Sequence, residues 1–237
     1  MNVLDVRIDN LSRDEIFKKI ESFLLDGKFH QVCTINAEII LKAQEDKGFK
    51  NILNKSDLNV ADSVSIRYAF LRFGKRLKCR FAGVDLMHEI LRMANEKRLS
   101  VFLAASKNGL SSYEEIRDSL IKFYPDVNFS GNNIDPNKFA SYQISNAECD
   151  ILFCAFGAPH QEMFINFLKD DIIGVAMGVG GSFDFATGKI KRAPKIMRYF
   201  GLEWLWRLML EPKYRLKRAL KAVLVFPIRI IFSKNNG

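Results

Sequence analysis

The sequence predicts an α/β protein: a mainly parallel, Rossmann-like sheet flanked by helices, with a basic amphipathic helical appendage at its C-terminal end. Three observations carry that expectation. Short apolar runs rich in β-branched residues alternate with helix-period segments along most of the chain. The 237 residues, 48% apolar with 6 Pro and 14 Gly in no repeating pattern, suit one well-filled core and exclude a disordered chain or a solenoid. The charge is divided: the first 190 residues sum to −1, residues 191–237 to +10.

In chain order the predicted strands are 3–8 (VLDVRI), 31–35 (QVCTI), 57–60 (DLNV), 100–105 (SVFLAA), 127–130, 150–155 (DILFCA) and 172–177 (IIGVAM). The first helix starts at Ser12, which with Glu15 forms an S-x-x-E capping box ahead of Ile16, Ile20 and Phe23 at helical spacing. Further helices are expected over 38–47, 63–72, 84–97, 109–123, 136–146 and 160–169. Strand followed by helix followed by strand is the pattern of parallel crossovers, which place helices on both faces of the sheet.

The tail interleaves its cations with Trp204, Leu205, Trp206, Leu208 and Leu210 and with the stretch 222–231. Nucleic-acid grooves favour exposed cations with isolated stacking aromatics, whereas Val223-Leu224-Val225-Phe226 and Ile230-Ile231-Phe232 offer aliphatic bulk. Lys221, Pro227 and Arg229 interrupt the run far short of the roughly 20 apolar residues a membrane span needs. An in-plane segment on an anionic membrane surface fits best. A nucleic-acid-binding α/β protein using the tail as a basic arm is the alternative. Cys33, Cys79, Cys149 and Cys154 form no C-x-x-C pair and His30, His88 and His160 lie far apart, so no metal-ligand spacing appears. Buried free thiols in a reducing compartment are expected. The opening MNVLDVRIDN has no basic segment leading into an apolar one, so the expectation is a cytoplasmic protein, peripheral on the inner face of the membrane.

In parallel sheets the chemistry sits beyond the carboxyl ends of the strands. That rule selects Thr34-Ile35-Asn36, Ala61-Asp62-Ser63, Ser106–Gly109, Phe156–Glu162 and Gly178–Asp184. Small and polar residues at these ends read as a nucleotide or phosphate crevice. Neither a G-x-G-x-x-G fingerprint nor a G-x-x-x-x-G-K-[ST] loop occurs, which weighs against a dinucleotide-dependent oxidoreductase and a P-loop enzyme.

Taken together and in order, Thr34-x-Asn36, Ala61-Asp62, Arg80-x-x-Gly83-x-Asp85-Leu86, Phe156-Gly157-x-Pro159-x-Gln161-Glu162, Gly178-Val179-Gly180-Gly181-x-Phe183-Asp184, Arg192-Ala193-Pro194 and Gly201–Leu208 followed by Glu211-Pro212 resemble the WecG/TagA/CpsF family of bacterial glycosyltransferases over roughly residues 30–218. The resemblance implies inverting, metal-independent transfer of a sugar, N-acetylmannosamine or a related hexosamine, from a UDP donor to an undecaprenyl-diphosphate-linked acceptor in surface-polysaccharide synthesis. It implies no cofactor, and a homo-oligomer is admitted. On this reading residues 1–190 form the catalytic domain, and 191–237 form an appendage that meets the membrane surface and completes the active site.

An inverting transfer needs a base for the acceptor hydroxyl and positive groups for the departing diphosphate. No D-x-D motif occurs, so arginines take the place of a divalent ion. Asp62, the family's catalytic aspartate by position, is the expected general base; capping the next helix is its alternative use. Thr34 and Asn36 are expected to hydrogen-bond sugar hydroxyls. The resemblance places Arg80 in the active site, and Gln161 is expected to contact a sugar. Gly178 and Gly180 would bring backbone to the substrate, with Phe183 and Asp184 beside the uridine or ribose. Arg207, Arg215 and Arg218 are expected at the diphosphate, or else at lipid headgroups. Ser63 stands where the family usually has Gly, and His160 where Lys is common.

Overall fold

The computed structural model describes residues 1–138, 149–169 and 174–233. The expected helix over 136–146 and the first two residues of the strand expected at 172–177 lie wholly or largely outside them.

The predicted strand 3–8 is instead a small antiparallel hairpin, β1 (Asn2–Val3) and β2 (Val6–Arg7). Leu4 and Asp5 both adopt left-handed backbone, φ 48° and 60°, which turns the chain after two residues. Helix α1 (Arg13–Phe23) has the expected capping box, both reciprocal bonds present, and buries Ile16, Ile20 and Phe23. Strand β3 (Phe29–Ile35) follows. The helix expected at 38–47 ends early. Asn36 caps α2 (Ala37–Glu45), and Asp46, which accepts the Phe49 N–H at 3.0 Å, starts a second helix, α3 (Lys47–Lys55).

Next come β4 (Leu58–Ala61), α4 (Val64–Arg72), α5 (Gly83–Lys97), β5 (Ser100–Ser106), α6 (Tyr113–Leu120) and β6 (Asn128–Ile134). After them lie β7 (Ile151–Cys154), α7 (His160–Phe167), β8 (Gly174–Gly178) and the short α8 (Ser182–Ala186). Strands β3 to β8 make one six-stranded sheet in the order β4-β3-β8-β7-β5-β6, every adjacent pair parallel. All the carboxyl ends therefore share one edge, as the repeating pattern requires.

Alternation along the strands splits the core in two. Val101, Leu103 and Ala105 of β5 face a layer formed by α1, α5 and α6, while Phe102 and Ala104 face α7 on the other side. The part of that second layer over β3 and β4 is built by α2, α3 and α4.

The basic tail folds as α9 (Lys195–Tyr199), α10 (Glu203–Leu210), α11 (Pro212–Leu220), a π-helical turn (Lys221–Val225) and α12 (Phe226–Phe232). Phe226 and Ile230 are fully buried in the same cluster as α2, α3 and α4. The last helix thus shares the body's core. No helix among the described residues is long and apolar enough to cross a membrane. Cys33, Cys149 and Cys154 are buried free thiols and Cys79 is half-buried.

Candidate active site

Asp62 follows β4 directly, and its N–H donates to the Ile35 carbonyl of β3 at 2.8 Å, so the sheet fixes its backbone. Its Oδ1 accepts the Gly83 N–H at 3.1 Å, and Asn36 Nδ2 donates to its Oδ2 at 3.5 Å. Asn36 Oδ1 meanwhile accepts the Ile39 N–H at 3.0 Å, so one side chain caps α2 and faces the carboxylate. Asp62 does not cap α4. Ser63 takes that place, and its buried Oγ has no partner among the described residues.

Burial pushes Asp62 up to about 6, against the lowering effect of the Gly83 N–H, Asn36 and Arg80, while the charge of Glu203 raises it further. A carboxylate so poised accepts a proton near neutral pH. Arg80 spends its guanidinium on main chain, donating from Nη1 to Asp62 O at 3.4 Å and from Nη2 to Arg198 O at 3.1 Å. Thr34 is only 8% exposed and sits against Gly83, where a Cβ would come within 3.2 Å of its Oγ1. Thr34, Asn36, Asp62 and Arg80 thus gather at the ends of β3 and β4.

The second group lies at the ends of the adjacent strands β8 and β7. Gln161 is 5% exposed, and its amide is committed to the protein: Oε1 accepts the N–H groups of Gly157 at 3.1 Å and Gly180 at 3.0 Å, and Nε2 donates to Glu162 Oε1 at 2.8 Å. It braces the two loops together. The glycines serve that brace. A Cβ on Gly178 would overlap the Gln161 amide, and Gly180 adopts φ 51° to aim its N–H at it.

Phe183 is 1% exposed and packs in the core under the sheet with α5 and α6, which corrects the expectation that it lies beside the nucleoside: the first turn of α8 points it inward. Asp184, the next residue, is half-buried at the crevice, its Oδ1 accepting from Ser111 Oγ at 2.8 Å. Burial raises its proton affinity.

On the far side of the glycine loop stands Arg207 of α10. A Cβ on Gly181 would come within 2.7 Å of its Nη2, and its Cζ lies 4.9 Å from the centre of the Phe185 ring. Its Nε is buried with no partner among the described residues. Burial, with the charges of Arg215 and Arg218, pushes Arg207 down to about 10. Those neighbours are engaged: Arg215 Nε meets Glu211 at 2.6 Å, and Arg218 meets Glu38 at the start of α2 at 2.6 Å. Lys42 also reaches Glu38, at 3.1 Å, and donates to the Ala158 carbonyl at 2.6 Å, tying α2 to the β7 loop. Three arginines of the tail therefore converge on the same edge of the sheet as Asp62.

Compared with known protein families, residues 1–237 match the Glycosyl transferase WecG/TagA/CpsF family. The chain belongs to that family. Among curated proteins it is 33% identical over 206 residues to the N-acetylglucosaminyldiphosphoundecaprenol N-acetyl-beta-D-mannosaminyltransferase of Bacillus subtilis (strain 168), covering 85% of this chain and 79% of the relative. It is 29% identical to the protein of the same name from Staphylococcus aureus (strain MRSA252), covering 99% and 93%. The family match extends the resemblance beyond residues 30–218, to both ends of the chain.

This glycosyltransferase carries three features that motif reading passed over: the Gln161–Glu162 brace, the Ser111–Asp184 pair, and an Arg192 link between Asp85 and Glu203. In each, partners from separate stretches of sequence or a buried amide decide the role, and of these residues only Ser111 lies outside the motifs that carry the family resemblance. Among the described residues no three His, Cys, Asp or Glu side chains gather as a metal-ligand set.

Glu162 is 2% exposed, one oxygen has no partner among the described residues, and burial pushes it up to about 7 from 4.5. A carboxylic acid with a raised folded value contributes most below the unfolded value, and that contribution is lost as pH rises through the folded value. Urea unfolding of Glu162→Gln should therefore show a flatter pH dependence between about pH 4.5 and 7, with a gain of roughly 2–3 kcal/mol over the native chain at pH 8. An unchanged slope would place the ionisation penalty elsewhere.

Proposed function

We propose that the protein transfers an N-acetylmannosamine-type sugar from a UDP donor to a sugar carried on undecaprenyl diphosphate, with inversion and without a divalent ion. The observation that carries this reading is Asp62: a half-buried carboxylate with raised proton affinity, at the carboxyl edge of the sheet, in a chain of this family. The acceptor hydroxyl gives its proton to Asp62 while its oxygen attacks the anomeric carbon. The bond from that carbon to the diphosphate breaks, and UDP leaves with the electron pair. Arg207, with Arg215 and Arg218 nearby, offsets the charge that develops on the leaving oxygen. The relatives' beta-mannosaminyl product is what inversion of an alpha-linked nucleotide sugar yields.

The nucleotide is assigned to the Asp184 side. The connection leaving β5 runs outward to β6 while that leaving β7 runs back to β8, so the crevice opens between β5 and β7, where open α/β sheets hold nucleotides. The exposed apolar side chains of the tail, among them Tyr199, Phe200, Met209, Leu216, Leu224 and Phe232, support docking on an anionic membrane surface, beside the lipid-borne acceptor.

The test is a panel of UDP-sugars offered with a polyprenyl-diphosphate-GlcNAc analogue in anionic vesicles. UDP release should be highest with UDP-N-acetylmannosamine, persist in EDTA, and rise with the vesicles. Activity abolished by the chelator and restored by Mg²⁺ would remove the metal-free mechanism, and no release with any donor would remove the reading as a whole.

A further inference from the structure

Between the two halves of the crevice, Arg192 grips body and tail with one guanidinium. Arg192 places Nη1 2.7 Å from Asp85 Oδ1, in the first turn of α5, and Nε 3.3 Å from Glu203 Oε1, the first residue of α10. Each partner leads to one wall. Two residues before Asp85, at the start of the same helix, Gly83 donates its N–H to the Asp62 carboxylate. Four residues after Glu203, one turn along α10, Arg207 lies over Gly181. The segment between is stitched to the Asp62 loop as well: Arg80 bridges the carbonyls of Asp62 and Arg198, and Gly201 leaves no room for a Cβ against Val64.

We propose that Arg192 is a positioning residue for the transfer: by gripping Asp85 and Glu203 with one guanidinium, it sets the separation between Asp62 on one wall of the crevice and Arg207 on the other. This rests on the roles assigned above to those two residues. Exposed ion pairs contribute little to stability, and Asp85 is 45% exposed, but Arg192 and Glu203 are only 22% and 19% exposed and the guanidinium is held at two points on separate elements. Its third donor, Nη2, is buried without a partner among the described residues, so the geometry does not exhaust its bonding capacity.

Charge reinforces geometry. The groups acting on Asp62 are Asn36 from α2, the Gly83 N–H from α5, Arg80 from the loop before it, and Glu203 from α10, whose negative charge raises the proton affinity of Asp62 and of Arg207 alike. Arg192 partly neutralises both Glu203 and Asp85.

The experiment compares Arg192→Gln, Arg192→Lys and Glu203→Gln in the full chain, reading kcat, KM, the pH dependence of kcat/KM and thermal unfolding. Arg192→Gln should lower kcat about tenfold or more, at little cost in KM, and move the acid limb upward by a few tenths of a pH unit, because two carboxylates lose their counter-charge. Glu203→Gln should move that limb downward. Arg192→Lys keeps the charge without the two-pronged grip, so it should hold the limb near its native position and still lose kcat.

An anchor that served only to hold the fold together would lower the unfolding temperature without opposite shifts of the limb. Native kcat in Arg192→Gln, or a limb unmoved in both charge-removing variants, overturns the proposal. Should Arg192→Gln fail to fold, Glu203→Gln decides by itself: any outcome but a downward shift counts against the inference. Asp62→Asn, run alongside, keeps the two layers apart. If it is inactive while the limb stays fixed, only the role of Arg192 falls; if it turns over normally, the assignment of the base falls with it.

Discussion

Asp62→Asn should lose about 10²- to 10³-fold in turnover while gaining stability. The amide keeps the shape and still accepts the Gly83 N–H, but it cannot take a proton, and general-base catalysis typically contributes 10²- to 10⁴-fold. The gain follows from linkage. The folded value of Asp62, about 6, lies above its ordinary value of 3.8, so the stability present below 3.8 is progressively lost as pH rises through 6. The asparagine variant escapes that loss and should be more stable at pH 7 by roughly 1–3 kcal/mol. In the native enzyme kcat/KM should climb through about pH 6 and level off above it. UDP release and urea unfolding on the same preparations check both halves; near-native turnover, or a rate independent of pH between 5 and 7, would take the base role away from Asp62.

Arg207→Gln should be the second large loss, about 10²- to 10³-fold in kcat, the range measured when one preorganised donor to a developing oxyanion is removed. Arg207→Lys should recover only part of it, since an ammonium cannot present two parallel donors. Folding should not suffer. The guanidinium is crowded by burial and by the charges of Arg215 and Arg218, which push its proton affinity down, so relieving that repulsion leaves the unfolding midpoint level or higher. A large drop in the midpoint together with modest kinetic loss would recast Arg207 as a structural cation.

The repeating alternation of apolar strands and amphipathic helices was enough to read the sheet, because a parallel strand buried on both faces is visible in composition. The α1 capping box was legible to the residue. The hairpin at Leu4-Asp5 was not: Asp tolerates left-handed backbone, but Leu rarely adopts it and no Gly or Asn marks the turn. Nor was the break at Asp46, where an acceptor for Phe49 N–H overrides a continuing helical pattern. Within the site, Asp62, Asn36 and Thr34 stood out by their place after strands. Gln161 and Phe183 were legible as motif residues but not as to direction: the amide turned to the loops and the ring to the core, and side-chain direction depends on partners distant in sequence. Gly180 was read as a backbone donor for substrate, yet its N–H is already taken.

Phe226 and Ile230, sunk among α2, α3 and α4, give the charged tail a second fixed end besides Ala193, itself buried near the body. A strap buckled on both sides cannot flail. If the proposed docking on a bilayer moves α9, α10 and α11, they should rock about these two pivots, and cutting the chain near residue 195 should unplug the body as well as shorten it.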